Sequence, residues 1–155
     1  MSDFEIWTDG GCAPTNPGTG GYGIIIVDNV TQEKREIKQG FKHSTNNRME
    51  LRAVIRALNE IPKEASVKLY TDSRYVVDHV NENQKKNNNN DLWKLFEKAM
   101  EGRSSDSVEI NWVKGEKTIK NLKDELHKNN YRCDRMVDEA RENEDELIVD
   151  EGYES

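Results

Sequence analysis

Three carboxylates stand at points of the chain where a shared site could form. Asp9 ends an alternating stretch, Phe4–Asp9, that predicts a strand, and Asp72 ends a second such stretch, Val67–Asp72. Glu50 is expected in the first turn of a helix between them. Taken singly, an acid at such a position is often only a turn former or a helix cap. Taken together they predict one site, because parallel strands of a sheet end at the same edge.

The chemistry open to such a cluster is that of a divalent cation bound by oxygen. Clustered carboxylates repel one another and persist when a cation compensates them. A set of oxygen ligands with no Cys or His cluster suits Mg²⁺ or Mn²⁺ rather than zinc. Asp134, near the start of the predicted last helix, could supply a fourth acid. Such sites typically hold two metals about 4 Å apart, one activating a water and one stabilising the leaving oxygen, so the cluster predicts phosphodiester hydrolysis.

The elements that must position these acids are predicted from the spacing of apolar residues. Strands are expected over Phe4–Asp9, Gly20–Val27, Glu33–Phe41, Val67–Asp72 and Val108–Val113. Helices are expected over Met49–Ile61, Ser73–Val80, Asp91–Met100 and Tyr131–Asn143. The first is preceded by the capping residues Thr45, Asn46 and Asn47, and Asn47 to Glu50 fits a capping box. Short loops favour an antiparallel meander for the first three strands, and the strand, helix, strand order that follows favours a parallel crossover. The predicted class is α/β, with a five-stranded mixed sheet flanked by helices.

The distribution of charge is more informative than the net charge of −7. The chain has 23 Lys and Arg against 30 Asp and Glu. Residues 138–155 hold nine of these acids and a single basic residue, Arg141, so this segment has a charge of −8 and residues 1–137 have a net charge of +1. The body of the chain is therefore not too acidic to bind phosphates. We interpret residues 144–155 as a solvated acidic C-terminal tail that follows a domain of residues 1–143.

The sequence predicts neither a membrane span nor a disulfide framework. No apolar run reaches the length of a signal-peptide core or a membrane helix. Cys12 and Cys133 are the two cysteines, and without an export signal they are expected to remain thiols. We therefore expect a cytoplasmic protein without a membrane partner, and we take it to be a monomer.

Several sequence blocks, in the same order, resemble those of ribonuclease HI, the type 1 ribonuclease H family. They are Trp7–Cys12, Gly20–Gly23, Thr45–Leu51, Tyr70–Ser73, Trp112–Gly115 and Asn130–Asp134. The resemblance runs from Glu5 to Ala140 and makes residues 1–143 a domain with the ribonuclease H-like fold. It implies an endonuclease that hydrolyses the RNA strand of RNA–DNA hybrids and leaves 5′-phosphate and 3′-hydroxyl ends. It also implies two Mg²⁺ ions per site, or Mn²⁺ in their place.

The resemblance also implies roles for individual residues. By position, the family's four catalytic, metal-binding acids are Asp9, Glu50, Asp72 and Asp134, with Asp138 as a rival for the fourth. The residues implied to line the RNA minor groove, where 2′-hydroxyls identify RNA, are Cys12, Asn16, Asn46 and Asn47. Thr45 would help to hold a DNA phosphate, and Arg74, where relatives often have Gln, could add a backbone or base contact.

One departure from the family pattern bears on activity. Family members usually have a His directly after the Trp-Val-x-Gly stretch, where this chain has Glu116. The segment that follows is longer than in the family and contains His127, which could replace the missing His from a mobile loop. Otherwise His127 is a solvated loop residue, and the enzyme works without this assisting group.

Two other functions stay open at this point. A hybrid-binding module that is catalytically weak or inactive is the alternative that Glu116 suggests, although a protein that only binds phosphates gains nothing from concentrated negative charge. Another nuclease of the same fold, such as a resolvase or transposase domain, is disfavoured by the Thr45–Leu51 block.

A second departure bears on binding. Many relatives carry a basic protrusion that grips the DNA strand, and here only Lys85 and Lys86 remain of it. A smaller salt dependence of hybrid binding is therefore expected. Lysines 114, 117, 120, 123 and 128 could compensate.

Overall fold

Five strands form one mixed sheet in the computed structural model, which describes residues 2–81, 88–114 and 124–153. The strands are β1 Phe4–Ala13, β2 Gly18–Asp28, β3 Lys34–Ser44, β4 Val67–Thr71 and β5 Val108–Trp112. The helices are α1 Asn46–Asn59, α2 Arg74–Asn81, α3 Asn90–Met100 and α4 Glu125–Glu142. The sheet order is β3-β2-β1-β4-β5, with β1, β2 and β3 antiparallel and β4 parallel to both β1 and β5. The predicted fold class is confirmed.

Helices cover both faces of the sheet, which explains why β2 is apolar along its length. Ile24 and Ile26 are buried in the core on the α1 side, whereas Ile25 is buried with Trp7 and Met136 on the α4 side. Successive side chains of a strand point to opposite faces, so a strand covered on both faces needs apolar residues at every position. No helix within the described ranges is long and apolar enough to cross a membrane.

α1 begins earlier than its apolar spacing predicts. Thr45 is the N-cap, and its hydroxyl accepts a hydrogen bond from the backbone N–H of Arg48 at 3.2 Å. The predicted capping box from Asn47 to Glu50 is therefore wrong, and Glu50 lies in the second turn rather than the first. Polar residues fill the first turn, so the apolar pattern could not show where the helix starts.

α4 also begins earlier, at Glu125 rather than at the predicted Tyr131. Asp124 caps it by accepting a hydrogen bond from the backbone N–H of His127 at 3.0 Å. Glycines let this helix lie close to the sheet. A Cβ on Gly21 would come 2.9 Å from the carbonyl oxygen of Val137, and one on Gly23 would come 2.7 Å from that of Cys133.

The acidic C-terminal segment packs partly on the body. Asp150 is buried, and its carboxylate pairs with Arg48 at 2.8 Å and with Arg52 at 2.7 Å. Ile148 forms a parallel β-bridge with Phe41. The interpretation of the whole segment as a solvated tail is therefore wrong for this part, because a count of acids does not show that α1 supplies two arginines to one of them.

Candidate active site

Asp9 and Asp72 lie close together because β1 and β4 are parallel neighbours. Thr8 and Thr71 form the last pair between these two strands, so Asp9 and Asp72 follow directly where the pairing ends. The prediction that β1 ends at Asp9 is wrong, because β1 continues to Ala13 in its pairing with β2. Glu50 of α1 lies beside both acids. Each of the three acids offers a carboxylate oxygen, and these oxygens all lie within 4.8 Å of one another. The structure thus brings together three of the four predicted acids.

Gly10 lets α1 come close enough to β1 to place Glu50 in this group. A Cβ on Gly10 would lie 2.6 Å from the backbone nitrogen of Glu50 and 2.7 Å from the carbonyl oxygen of Met49. Real side chains do not tolerate such distances to backbone atoms, so any larger residue would push the helix away. The residue directly after Asp9 therefore sets the distance between β1 and the helix that carries Glu50.

The site is unfavourable for negative charge. Asp9 and Glu50 are only 5% and 8% exposed. Burial raises the pKa of Asp9 well above its usual value, and the charges of Asp72 and Asp134 raise it further. Burial also raises the pKa of Glu50, with added repulsion from Asp9 and Asp72. The backbone N–H of Gly10 donates to Asp9 Oδ1 at 2.8 Å and opposes the rise only in part.

These residues fit a divalent cation. Oε2 of Glu50 is buried and finds no hydrogen-bond partner in the described part of the chain. Buried polar atoms are normally paired, so an unpaired carboxylate oxygen among other carboxylates is the arrangement expected of a metal ligand. Oxygen ligands are those that hard divalent cations prefer. The cluster of Asp9, Glu50 and Asp72 can therefore hold a metal ion.

Asp134, the fourth predicted acid, lies on α4 outside this group of close oxygens. Its side chain is exposed. Burial raises the pKa of Asp72, and the charge of Asp134 adds to that rise as it does for Asp9. Asp134 is therefore near enough to act on both acids through its charge.

The rival acid, Asp138, is engaged elsewhere on the same helix. Its carboxylate pairs with Arg135 and with Arg141, both at 3.0 Å. These ion pairs offset its charge, and the choice between Asp134 and Asp138 as the fourth ligand stays a prediction.

The residues predicted to line the RNA minor groove are linked beside the acids. The backbone N–H of Cys12 donates to Asn46 Oδ1 at 2.8 Å, and the backbone N–H of Asn46 donates to Asn16 Oδ1 at 2.9 Å. Thr45 caps α1 at the same place, and Asn47 is exposed in its first turn. The end of β1, the β1–β2 loop and the start of α1 thus form one polar surface.

Arg74 contacts a residue that was not among the predicted site residues. Its guanidinium carbon lies 4.0 Å from the centre of the Trp112 ring, and the Trp112 indole N–H donates to the backbone carbonyl of Asp72 at 3.2 Å. The sequence signal for Trp112 was its place at the end of the last strand, but only the parallel pairing of β4 with β5 shows that this end lies beside Asp72.

His127 lies in the first turn of α4, not in a loop, so that part of the hypothesis about it is wrong. Its Nδ1 is 2.7 Å from Asp124 Oδ1. Whether it assists the reaction stays a prediction. Several residues of the predictions lie outside the described residues: Lys85, Lys86, Glu116, Lys117, Lys120 and Lys123.

Comparisons with known proteins find a family model, relatives and solved structures that this chain resembles. The RNase H family model matches residues 1–142. A ribonuclease H of Pseudoalteromonas atlantica is 39% identical over 99% of this chain and 99% of its own length. A ribonuclease H of Trichodesmium erythraeum is 37% identical over 98% of this chain and 96% of its own length. An N-terminal RNase H domain from Mycobacterium tuberculosis, solved as a fusion with maltose-binding protein, has a TM-score of 0.68 at 26% identity over 91% of this chain and 94% of its own. LC11-RNase H1, solved in complex with an RNA/DNA hybrid, shares the fold with a TM-score of 0.67 at 24% identity over 88% of this chain and 95% of its own.

Proposed function

Because this chain belongs to the ribonuclease H family, we propose that it hydrolyses the RNA strand of RNA–DNA hybrids at the cluster of Asp9, Glu50 and Asp72. The proposal rests mainly on one observation: these three acids have carboxylate oxygens within 4.8 Å of one another at the edge of the sheet. A protein that only binds phosphates gains nothing from such a concentration of buried negative charge, which disfavours the inactive hybrid-binding module.

Two Mg²⁺ ions, or two Mn²⁺ ions, are the proposed occupants of the site. Asp9, Glu50 and Asp72 would hold them, and Asp134 of α4 would be the fourth ligand. When bound, such ions make water a stronger nucleophile and stabilise the negative charge on the leaving 3′-oxygen. Cleavage on that side of the phosphorus leaves the 5′-phosphate and 3′-hydroxyl ends that the family resemblance implies.

The rigid surroundings of the acids orient them before substrate arrives. Asp9 receives a hydrogen bond from Gly10, and Glu50 is fixed by the close contact of its helix with β1. Burial reduces the screening of Asp9 and Glu50 by bulk water, so their charges would act more strongly on a bound cation than exposed carboxylates would. The protein therefore supplies positioned ligands rather than a nucleophile of its own.

The polar surface of Cys12, Asn16 and Asn46 would recognise RNA. The two asparagine side chains use their carbonyl oxygens in hydrogen bonds to backbone N–H groups. Within the described residues no group accepts from their NH₂ donors, which leaves these donors for the 2′-hydroxyls that distinguish RNA from DNA. Asn47 would contribute to the same surface, and Thr45 would help to hold a DNA phosphate.

The domain bounds, the oligomeric state and the cellular location stay predictions. We assign residues 1–143 to the ribonuclease H domain and regard residues 144–153 as a segment docked on it. A monomeric, cytoplasmic enzyme is what the sequence leads us to expect, and Arg74 keeps its predicted role in substrate binding. Of the two alternatives for His127, we expect the one in which the enzyme works without it.

The proposal is tested by giving the purified chain four substrates of one sequence, each labelled at its 5′ end and supplied with Mg²⁺. These are the RNA–DNA hybrid, duplex RNA, duplex DNA and single-stranded RNA. We expect cutting of the RNA strand of the hybrid alone, with 3′ ends that a polymerase can extend. Hybrid binding without any cutting would instead make the catalytically inactive binding module the better account.

A further inference from the structure

Arg74 is a cation held beside the acid cluster without a carboxylate partner among the residues that the structure describes. It is the first residue of α2 and is exposed. Its guanidinium lies over the Trp112 ring, with its central carbon 4.0 Å from the ring centre. Surface arginines elsewhere in the chain, such as Arg132 and Arg135, are paired with acids. Arg74 is thus in contact with an aromatic ring, while no acid of the described residues neutralises its charge.

The Arg74–Trp112 stack is fixed relative to the acids. Trp112 is the last residue of β5 and pairs in register with Thr71, which directly precedes Asp72. Its indole N–H donates to the Asp72 carbonyl at 3.2 Å, and the next residue, Val113, donates its backbone N–H to Thr71 O at 2.8 Å. Trp112 is thus hydrogen-bonded to the backbone of Asp72 itself. The guanidinium of Arg74, which contacts the Trp112 ring, is therefore positioned beside the acid cluster.

We propose that Arg74, held against Trp112, binds the RNA-strand phosphate next to the phosphate that is cleaved. The inference rests on the proposed function and names a contact within it. A guanidinium that stacks by its face keeps its N–H donors at its edges, and these match the oxygens of a phosphate in pairs. Arg74 is two residues from Asp72, so it reaches the cleaved strand at a neighbouring nucleotide rather than at the acids themselves.

A phosphate is favoured over a base edge by the chemistry of the residue. A neutral amide would suffice to bond the acceptors of a base in the minor groove, whereas a permanent charge is most useful against another charge. The acid cluster also repels the substrate backbone, and a cation at its side lowers that repulsion locally. Trp112 acts here as a positioning residue, because its proposed effect on binding passes through Arg74.

The two kinds of contact differ in their response to salt. Each phosphate neutralised by a cation on the protein releases counterions, so the slope of log K against log salt changes by about 0.9 per contact on duplex DNA. Loss of a base contact weakens binding without that change. The salt slope therefore distinguishes a phosphate contact from a base contact at Arg74.

The experiment measures hybrid binding by fluorescence anisotropy from low to moderate NaCl in EDTA, with Asp9→Asn present in every protein so that the hybrid stays intact. Arg74→Gln is compared with Arg74→Lys and with Arg35→Gln. Arg35 is a matched control, since it is an exposed arginine of β3 that pairs with Glu60 at the end of α1. We expect Arg74→Gln to lower the slope by about 0.9, and Arg74→Lys and Arg35→Gln to keep the slope of the parent.

Trp112→Leu is tested alone and with Arg74→Gln, after thermal unfolding has shown that each variant is folded. We expect Trp112→Leu to weaken hybrid binding in the presence of Arg74 and to add nothing once Arg74 is replaced. An unchanged slope in Arg74→Gln, or equal and additive effects of the two substitutions, would overturn the inference while leaving the proposed function intact. Failure of the Asp9→Asn parent to bind the hybrid at all would count against both.

Discussion

At the scale of single residues, the candidate site is a place where negative charge is unfavourable until a cation arrives. Asp9 and Glu50 are buried, and Asp72 stands close to both. Burial first, and repulsion between the carboxylates second, raise the pKa of Asp9 and of Glu50. The metal-free protein therefore carries an unfavourable interaction that a neutral side chain would remove.

Asp9→Asn should accordingly stabilise the protein in EDTA. We expect the free energy of unfolding to rise by roughly 1 kcal/mol, the scale of an ordinary single substitution, because one of three repelling charges is lost. The same variant should gain less stability than the parent when Mg²⁺ is added. Urea unfolding with and without Mg²⁺ measures both effects, and Asp106→Asn, which alters an exposed acid in a turn, is the control. A less stable Asp9→Asn protein in EDTA would contradict the electrostatic account.

His127 is expected to be dispensable for turnover. It lies near the start of α4, about 10 Å along the helix axis from Asp134 at 1.5 Å per residue. Its ring is engaged with the capping residue Asp124. We expect His127→Ala to lower the melting temperature slightly and to leave kcat and KM for the hybrid unchanged. A fall in kcat with KM unchanged, and no such fall in Asp124→Ala, would show instead that His127 is the assisting group.

At the scale of elements, the distance between β1 and α1 is set by one glycine. Gly10→Ala would place a Cβ against the backbone of Met49 and Glu50, whereas a Cβ on Gly11 would have its nearest contact at 3.6 Å, with the side chain of Asn46. We expect Gly10→Ala to lower the free energy of unfolding by about 1–3 kcal/mol, as overpacked sites do, and to weaken metal binding by displacing Glu50.

Gly11→Ala is the matched control for that substitution. It changes the neighbouring glycine in the same strand, and its expected effect on unfolding is small. Urea unfolding and Mg²⁺ titration of the two variants give the comparison. Equal stabilities for Gly10→Ala and Gly11→Ala would mean that the close approach of α1 to β1 is not a constraint.

The sequence predicted the elements better than their ends. The sheet and the meeting of Asp9 with Asp72 could be predicted, because alternating apolar strands and one crossover leave few topologies. The exact start of α1 was mispredicted, since Thr45, Asn46 and Asn47 were all candidate capping residues and only the hydrogen bond from the N–H of Arg48 shows that Thr45 is the N-cap. For the same reason Glu50 was predicted in the first turn of α1, whereas it lies in the second.

Two side-chain contacts between distant segments could not be predicted. The Trp112 ring reaches Arg74 only through the pairing of β4 with β5, and the arginine partners of Asp150 come from α1. A list of residue types contains no distances, so these contacts appear only in the folded chain. Asp134 was predicted as the fourth acid from its place in the last helix and, independently, from the family motif.

At the scale of the whole molecule, one buried acid joins the C-terminal segment to the body. Asp150 accepts hydrogen bonds from Ser44 at 2.5 Å and from Arg48 at 2.8 Å, and Arg48 also pairs with Asp91 at 2.8 Å. Burial opposes the ionisation of Asp150, but the bonds from Arg48 and Ser44 and the charge of Arg52 prevail and lower its pKa. The end of β3 and the starts of α1 and α3 are thereby held together by the C-terminal segment.

Asp150→Asn should destabilise the protein by about 3–5 kcal/mol at neutral pH, since it removes one partner of a buried ion pair. The lowered pKa means that Asp150 stabilises the fold above its unfolded-state pKa of about 4. That stabilisation is lost as the pH falls from there through the lower folded-state pKa. The difference in free energy of unfolding between the parent and Asp150→Asn should therefore shrink below about pH 4.

Asp145→Asn is the control for the C-terminal segment, because Asp145 is exposed in the same acidic stretch. Urea unfolding of the three proteins from pH 7 to pH 3 makes the comparison. If Asp150→Asn were no less stable than Asp145→Asn at pH 7, the segment would be the solvated tail that its composition suggests.

The most direct test of the central claim is the cleavage of a labelled RNA–DNA hybrid by the parent chain and by Asp9→Asn, each with Mg²⁺, with Mn²⁺ and with EDTA. We expect the parent to cut the RNA strand with either metal and EDTA to stop it. We expect Asp9→Asn to be inactive although it is folded and binds the hybrid. Cutting by Asp9→Asn at the rate of the parent, or cutting in EDTA, would contradict the claim that the carboxylate cluster and its metal ions carry out the reaction.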